Sequence, residues 1–469
     1  MSGVSVFRVP TPEQWRESAI KALKDKPLES LLHLDADHLA IRPLYADASG
    51  ITPLFTPRPT DAEGRSWDLR TLVEGEDPDT VNAAVLTDLE GGAASVILSA
   101  PSFAKSVLSD SEPLGRALAN VALELAAVGL DAGLNGPDAA NALAVVAKGS
   151  PRAKLMFHMD PISAFALAGG SPLPIALHLS QSAAAAERHA GAYPDATFFL
   201  ASGRVVHEAG GSAGQELGFL AATVVAYVRA AVDAGLSAEQ ALKGTVLGVA
   251  VDAEYFDSLA KVRALRLIWA SVSKAFGLDV PANIEARSSR RMLAARDPWP
   301  NLLRLTAAGF AGAVGGADSV VLDGFSRASG RPDAFARRQA RNTQIVLMEE
   351  AHLGRVDDPA AGSWFLDSRT HDLATAGWAE FQRIEREGGI VAALKGGAIQ
   401  MRVAASRASL KAAFDNGSKQ IIGVTKFVDP DVRAAPVEAS SPPAKAAITD
   451  ACIALTSIRF AAAFEEASQ

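Results

Sequence analysis

The chain has 469 residues, 49% apolar and 21% charged, which is too long for one small domain and too apolar for a disordered chain. Its 45 Lys and Arg stand against 53 Asp and Glu, a formal charge of -8, so no global positive field gathers phosphate backbones and no nucleic acid partner is expected. Cys452 is the single cysteine, which excludes a disulfide framework or a cysteine-cluster metal site and fits a reducing compartment, the cytoplasm by default. Residues 1–30 lack the apolar core of a signal peptide and no later apolar run reaches about 18 uninterrupted residues, so no membrane partner is expected.

Residues 1–45 form an N-terminal arm. Thr11, Pro12 and Gln14 match a capping box with proline in the first turn, which predicts a helix to about Leu23. Trp15, Ile20 and Leu23 stripe that helix and need a surface, on this chain or on a partner. From about residue 90, short apolar runs alternate with Ala-rich stretches. Strands are expected at 95–98, 129–134, 155–159, 175–179, 197–201, 246–250, 283–287 and 319–322, several followed by the Gly, Pro, Ser or Asp that end a strand and cap a helix. Helices are expected at 212–233, with Gly235 at its end, at 255–276 and at 332–350, with Lys261, Arg263, Arg266, Arg337, Arg338 and Arg341 on solvated faces. Eight strand–helix units favour an α/β fold of the (β/α)8 TIM-barrel type, over residues 46–427, above an open doubly wound sheet. Residues 428–469, with Pro430, Pro436, Pro442 and Pro443, read as a linker followed by one helix within 446–464, a short C-terminal extension.

In a barrel the functional groups sit at the C-terminal ends of the strands. That position yields His158 and Asp160, Arg204, His207 and Glu208, Arg287 with Ser288 and Ser289, and Asp323. A His near a carboxylate suits general acid–base work, and equally a hydrogen-bonded loop anchor. Arg287, Ser288, Ser289, Arg290 and Arg291 make the only dense cationic loop at a strand end; a cradle for a phosphorylated substrate and a solvated helix start are both open. The eight histidines show no H-E-x-x-H spacing, so no metal site is expected. The glycines at 309, 312, 315 and 316 read as close helix packing, since no phosphate-loop motif contains them.

Residues 340–350 (ARNTQIVLMEE) and 357–367 (DDPAAGSWFLD) resemble the segment that closes the barrel domain of the methylmalonyl-CoA mutase family. So do IRPLY (41–45), SWDLR (66–70), residues 207–230, 256–269 (FDSLAKVRALRLIW), 297–306 (DPWPNLLRLT), 313–319 (AVGGADS), 388–390 and 419–427, in family order. The resemblance implies an acyl-CoA mutase barrel whose centre threads an acyl-CoA, capped by a cobalamin domain that supplies a radical. No histidine of this chain sits in the D-x-H-x-x-G pattern of that domain, and the chain is expected to end where it would begin. Adenosylcobalamin is therefore expected on a partner subunit.

The same resemblance aligns the Tyr-His pair of the family's S-G-Y-H-M-Q loop with Arg204 and Val205, a family Tyr with Leu72 and a family His with Leu322. Loss of one hydrogen-bond donor to a developing oxyanion typically lowers the rate about 10²–10³-fold, so four such changes imply that no catalytic residue is retained. His207 and Glu208 read as loop supports. The resemblance thus points to the small, non-catalytic subunit of a heterodimeric mutase that interconverts methylmalonyl-CoA and succinyl-CoA, its partner a full-length catalytic subunit. The alternatives are a split acyl-CoA mutase active with a separate cobalamin-binding subunit, and a pseudoenzyme that binds CoA esters without reacting.

Overall fold

The computed structural model describes residues 10–24, 26–46, 64–99, 107–439 and 447–466; Pro442 and Pro443 lie outside them. Eight parallel strands close in sequence order: β1 (Asp68–Glu74), β2 (Ser95–Ser99), β3 (Ala127–Asp131), β4 (Leu155–Met159), β5 (Thr197–Ser202), β6 (Thr245–Val251), β7 (Ile284–Ser288) and β8 (Ser319–Val321). Closure runs through Val320 opposite Leu69. This is a (β/α)8 TIM barrel, as the strand–helix alternation predicts.

Seven of the expected strands are present, with ends shifted by a few residues. The exception is 175–179, which begins a helix, Ile175–Ala190. A short apolar run has no decisive period, and here Pro174 before it and the alanines at 183–186 after it carry the helix onward. The missing strand is β1, whose sequence DLRTLVE hides its period because the face turned to the barrel axis is charged rather than apolar.

The helices used below are α1 (Pro12–Leu23), α2 (Pro161–Ala168), α3 (Ile175–Ala190), α4 (Ala213–Asp233), α5 (Tyr255–Ala275), α6 (Asn301–Val314), α7 (Ala334–Ile345), α8 (Trp364–Arg386) and α9 (Ala462–Glu466). The capping box at Thr11 forms as predicted, and a second one forms at Ser212, at the start of the helix expected over 212–233. Helix α4 is apolar enough in composition to span a membrane, yet 72% of its most apolar stretch is buried between the barrel and α8. The close approach needs glycine: a Cβ on Gly218 would stand 2.6 Å from the Glu380 Cβ, and one on Gly377 2.7 Å from the Leu217 Cβ. Leu217, Phe219, Tyr227 and Val228 are fully buried there, each contributing roughly 1.5–3 kcal/mol.

The basic residues expected on solvated faces are largely inside. Arg263 is fully buried between Asp358 (3.1 Å) and Asp367 (2.8 Å), Lys261 pairs with Glu216 at 2.5 Å, and Arg341 pairs with Asp88 at 2.6 Å. Arg266 holds Asp318 at 3.0 Å and Arg337 holds Glu438 at 2.9 Å, which leaves Arg338 exposed as expected. On α5 an outer helix contributes to the difference: α8 covers α4 and α5, so faces that a lone barrel would leave wet are buried and must carry paired charge.

The arm divides in two. Residues 33–41 are anchored, with Asp35 paired to Arg369 and Asp37 accepting from the Ser212 hydroxyl and the Gly214 N–H. Helix α1 buries no residue, and Ile20 is 45% exposed. At the other end, residues 428–439 lie against the barrel, with Val437–Glu438 paired to Arg331–Pro332. The helix expected within 446–464 is confined to α9. Before it the backbone is extended, because its N–H groups bond to barrel loops rather than to its own carbonyls.

Candidate functional site at the barrel mouth

Alternation along a strand turns every second side chain to the axis. In β1 that face carries Arg70 and in β7 it carries Glu285 and Arg287, and these three close the axis. Glu285, fully buried, accepts from Arg70 at 2.5 Å and from Arg287 at 2.5 Å; Arg287 also reaches Asp131 at 3.1 Å, and Arg70 reaches Asp68 at 2.6 Å. Burial works to raise the Glu285 pKa, but Arg287, His158 and Arg70 outweigh it and hold the carboxyl well below its usual range. Among the described residues these side chains fill the axis at this level.

Above the column lies a cavity of about 210 Å³ at the C-terminal ends of the strands. Arg204, Val205, Arg287, Arg290, His158, Asp160, Asp131, Glu74 and Glu208 reach it, so His158, Asp160, Arg204, Glu208 and Arg287 from the strand-end reading share one cavity, whereas His207 and Asp323 do not line it. Ser288 and Ser289 are turned from it. The Ser288 hydroxyl accepts from the Asp323 N–H (2.8 Å), and that of Ser289 meets His207 Nε2 (2.8 Å). Leu72 and Leu322 do not line the cavity either. Leu322 points into the helix layer, its Cδ1 3.0 Å from where a Cβ on Gly309 of α6 would stand.

The cationic loop is largely paired within the barrel, although Arg287 Nη2 and Arg291 Nε have no hydrogen-bond partner among the described residues. Arg290 pairs with Asp323 at 2.7 Å, Arg291 reaches Asp252 at 3.3 Å, and both backbone N–H groups donate to Glu208 at 3.0 Å. His207 is fully buried, with Nδ1 3.3 Å from Glu216, and burial, then Arg291 and Lys261, push its pKa down. His207 and Glu208 therefore brace the loop. Arg204 differs: burial, followed by repulsion from Arg287, lowers it to about 10, and its Nε has no partner. Asp160 caps α2 through Ser163 and accepts from Tyr227 at 2.5 Å; burial pushes it up to about 7.

Sequence reasoning missed Arg70, Asp131 and Glu285. The signal was present as alternating charge in DLRTLVE and IEARS and as the aspartate ending β3. It also missed the cover. Residues 447–466 cross the mouth from α2 to the loop after β7. Cys452 N–H donates to the Gly169 carbonyl, Leu455 to Ala166, Ile458 to Glu208 and Phe460 to Arg291, while Ser457 lines the cavity and Glu465 accepts from the Ala295 and Arg296 N–H groups.

The comparisons accord with this barrel. The family described as Methylmalonyl-CoA mutase matches residues 114–463. The Methylmalonyl-CoA mutase small subunit of Streptomyces virginiae is 38% identical over 470 residues, covering 95% of this chain and 74% of that one. The small subunit of Propionibacterium freudenreichii subsp. shermanii is 33% identical over 90% of this chain and 69% of that one. The large subunit from the same organism is 32% identical over 48% of this chain and 32% of its own length. With matches to small subunits running along nearly its whole length, the chain belongs to the methylmalonyl-CoA mutase family and is of the small-subunit type.

Proposed function

We propose that this chain is the supporting subunit of a heterodimeric, adenosylcobalamin-dependent methylmalonyl-CoA mutase, with the chemistry carried by a full-length catalytic partner. The observation that carries this reading is the closed axis: Arg70, Glu285 and Arg287 occupy the path an acyl-CoA would take, and Val205 at the mouth has no proton to give. Arg204, Val205, Leu72 and Leu322 stand, in this reading, where the family keeps reactive groups. Two of them, Leu72 and Leu322, are outside the cavity, which adds to the argument against catalysis here.

The residues at the mouth do not fit a corrin. A cobalamin face would need the open ends of the strands, and residues 447–461 are hydrogen-bonded across them. The cofactor and the acyl-CoA belong to the partner. Helix α1 is the surface offered to that partner, since its Trp15 and Ile20 stripe is not covered by the barrel. The single cysteine and the charge of -8 support a cytoplasmic pair free of nucleic acid and membrane.

Native mass measurement of the complex from its source tests this directly. The expected result is a one-to-one pair with a cobalamin-binding homologue, weakened at least tenfold by Trp15→Asp with Ile20→Asp while the fold of the isolated chain is unchanged. Turnover of an acyl-CoA by this chain with only a separate cobalamin-binding subunit would refute the supporting role. Tight binding of a CoA ester to the isolated chain would favour the pseudoenzyme instead.

A further inference from the structure

The mouth cavity contains polar groups that the supporting role does not use. His158 at the end of β4 is 4% exposed, lines the cavity, and has no hydrogen-bond partner on either ring nitrogen. Buried polar atoms of this kind are rare in folded proteins. Its backbone sits at φ 46°, a left-handed conformation that a non-glycine residue holds only against strain, and such residues gather at ligand sites. Burial lowers its pKa to about 4, so the ring is neutral and offers one donor and one acceptor.

Arg204 is the second such group. Its Nε has no partner, and among the described residues no carboxylate lies within ion-pair distance of it. The acids around the cavity are already engaged. Asp131 is held by Arg287 at 3.1 Å, Glu74 by Arg327 at 2.7 Å, Glu208 by two backbone N–H groups, and Asp160 by Tyr227 and Ser163. Arg204, attracted by Glu208 and Asp131 but in contact with no carboxylate of the described residues, is therefore left facing the cavity beside a neutral imidazole and the Ser99 and Ser202 positions.

Size restricts what can enter. About 210 Å³ is below the roughly 300–1,000 Å³ of pockets that take drug-sized ligands, the Arg70–Glu285–Arg287 column closes the floor, and Ser457 closes part of the roof. That volume suits a molecule of a few carbons. A guanidinium whose Nε is unpartnered can hold one carboxylate, and a neutral histidine selects a hydroxyl or carbonyl oxygen over a second charge.

We propose that this cavity is a binding site for a small unesterified monocarboxylate bearing a second polar oxygen, with Arg204 holding the carboxylate and His158 the other oxygen. This goes beyond the supporting role, giving the chain a ligand of its own.

Calorimetric titration of the full chain with L-lactate, propionate, lactamide and acetyl-CoA tests it. Lactate is expected to bind saturably at one site, propionate several-fold more weakly for want of the second oxygen, and lactamide and acetyl-CoA not at all. Arg204→Gln is expected to weaken lactate at least about tenfold, the usual scale for loss of a charge-assisted hydrogen bond. Lactate should raise the melting temperature of the wild type and not of that variant, whose unliganded melting temperature shows whether it has folded. His158→Asn, which tolerates positive φ, should abolish the preference for lactate over propionate. Absence of saturable binding, equal affinity for lactamide, competition by acetyl-CoA, or full affinity in Arg204→Gln would each overturn the proposal. Because no partner is present in the titration, these outcomes are independent of whether the heterodimer forms.

Discussion

Glu285→Gln is the most direct probe of the closed axis. The carboxylate is fully buried and bridges two guanidinium groups at 2.5 Å each, so the amide keeps the shape and removes the charge. Arg70 retains Asp68 at 2.6 Å and Arg287 retains Asp131 at 3.1 Å, but the two buried cations then face each other with no anion between them. Breaking a buried ion pair by removing one partner typically destabilises by about 3–5 kcal/mol, because the surviving charge stays desolvated. At about 1 °C per kcal/mol for a chain of this length, from roughly 2.1 cal/mol/K of unfolding entropy per residue, the melting temperature should fall by roughly 3–5 °C. Urea unfolding followed by circular dichroism measures the free energy. Replacing the whole network, Asp68→Asn and Asp131→Asn together with Arg70→Met, Glu285→Leu and Arg287→Met, should recover most of the loss, since no carboxylate is then left without its cation. A loss below about 1 kcal/mol for Glu285→Gln would mean that water reaches the three side chains, and the argument from a filled axis would fail with it.

The remaining expectations concern pH and packing. Asp160 has its folded pKa raised from 3.8 to about 7, so its contribution to stability is fully present below pH 3.8 and is lost as pH rises through 7. Asp160→Asn should therefore gain stability relative to wild type between about pH 4 and 8; urea titrations at pH 5 and pH 8 giving the same difference would contradict the assignment. His158 runs the other way: its folded pKa is lowered from 6.5 to about 4, so stability is lost as pH falls from 6.5 to 4, and in wild type the two groups offset each other in that window. Gly218→Ala would drive a methyl to 2.6 Å from the Glu380 Cβ, and a destabilisation of about 1–3 kcal/mol by urea unfolding is expected, with no change if α8 is not seated on α4.

The site was legible in part. Reading the strand ends found Arg204, His158, Asp160, Arg287 and Arg290, because the barrel fold itself says where loops carry function. It could not say which of two adjacent residues faces the axis. Beside three arginines, Ser288 and Ser289 leave a phosphate cradle and a solvated helix start both open, and their hydroxyls are taken by the Asp323 backbone and His207. Leu322 aligned with a catalytic position and packs on Gly309 instead.

What the sequence alone determined is the set of features that depend on near neighbours. The capping boxes at Thr11 and Ser212, seven of the eight strands and the ordered family motifs are all written within a few residues of where they act. The tertiary structure decided which charges are buried, since Arg70 meets Glu285 across 215 positions and Arg263 meets Asp367 across 104. It also decided that residues 447–461 lie extended over the mouth while α1 stands uncovered. Desolvation and long-range hydrogen bonding set these outcomes, and both depend on what surrounds a residue in space, which the order of residues along the chain does not state.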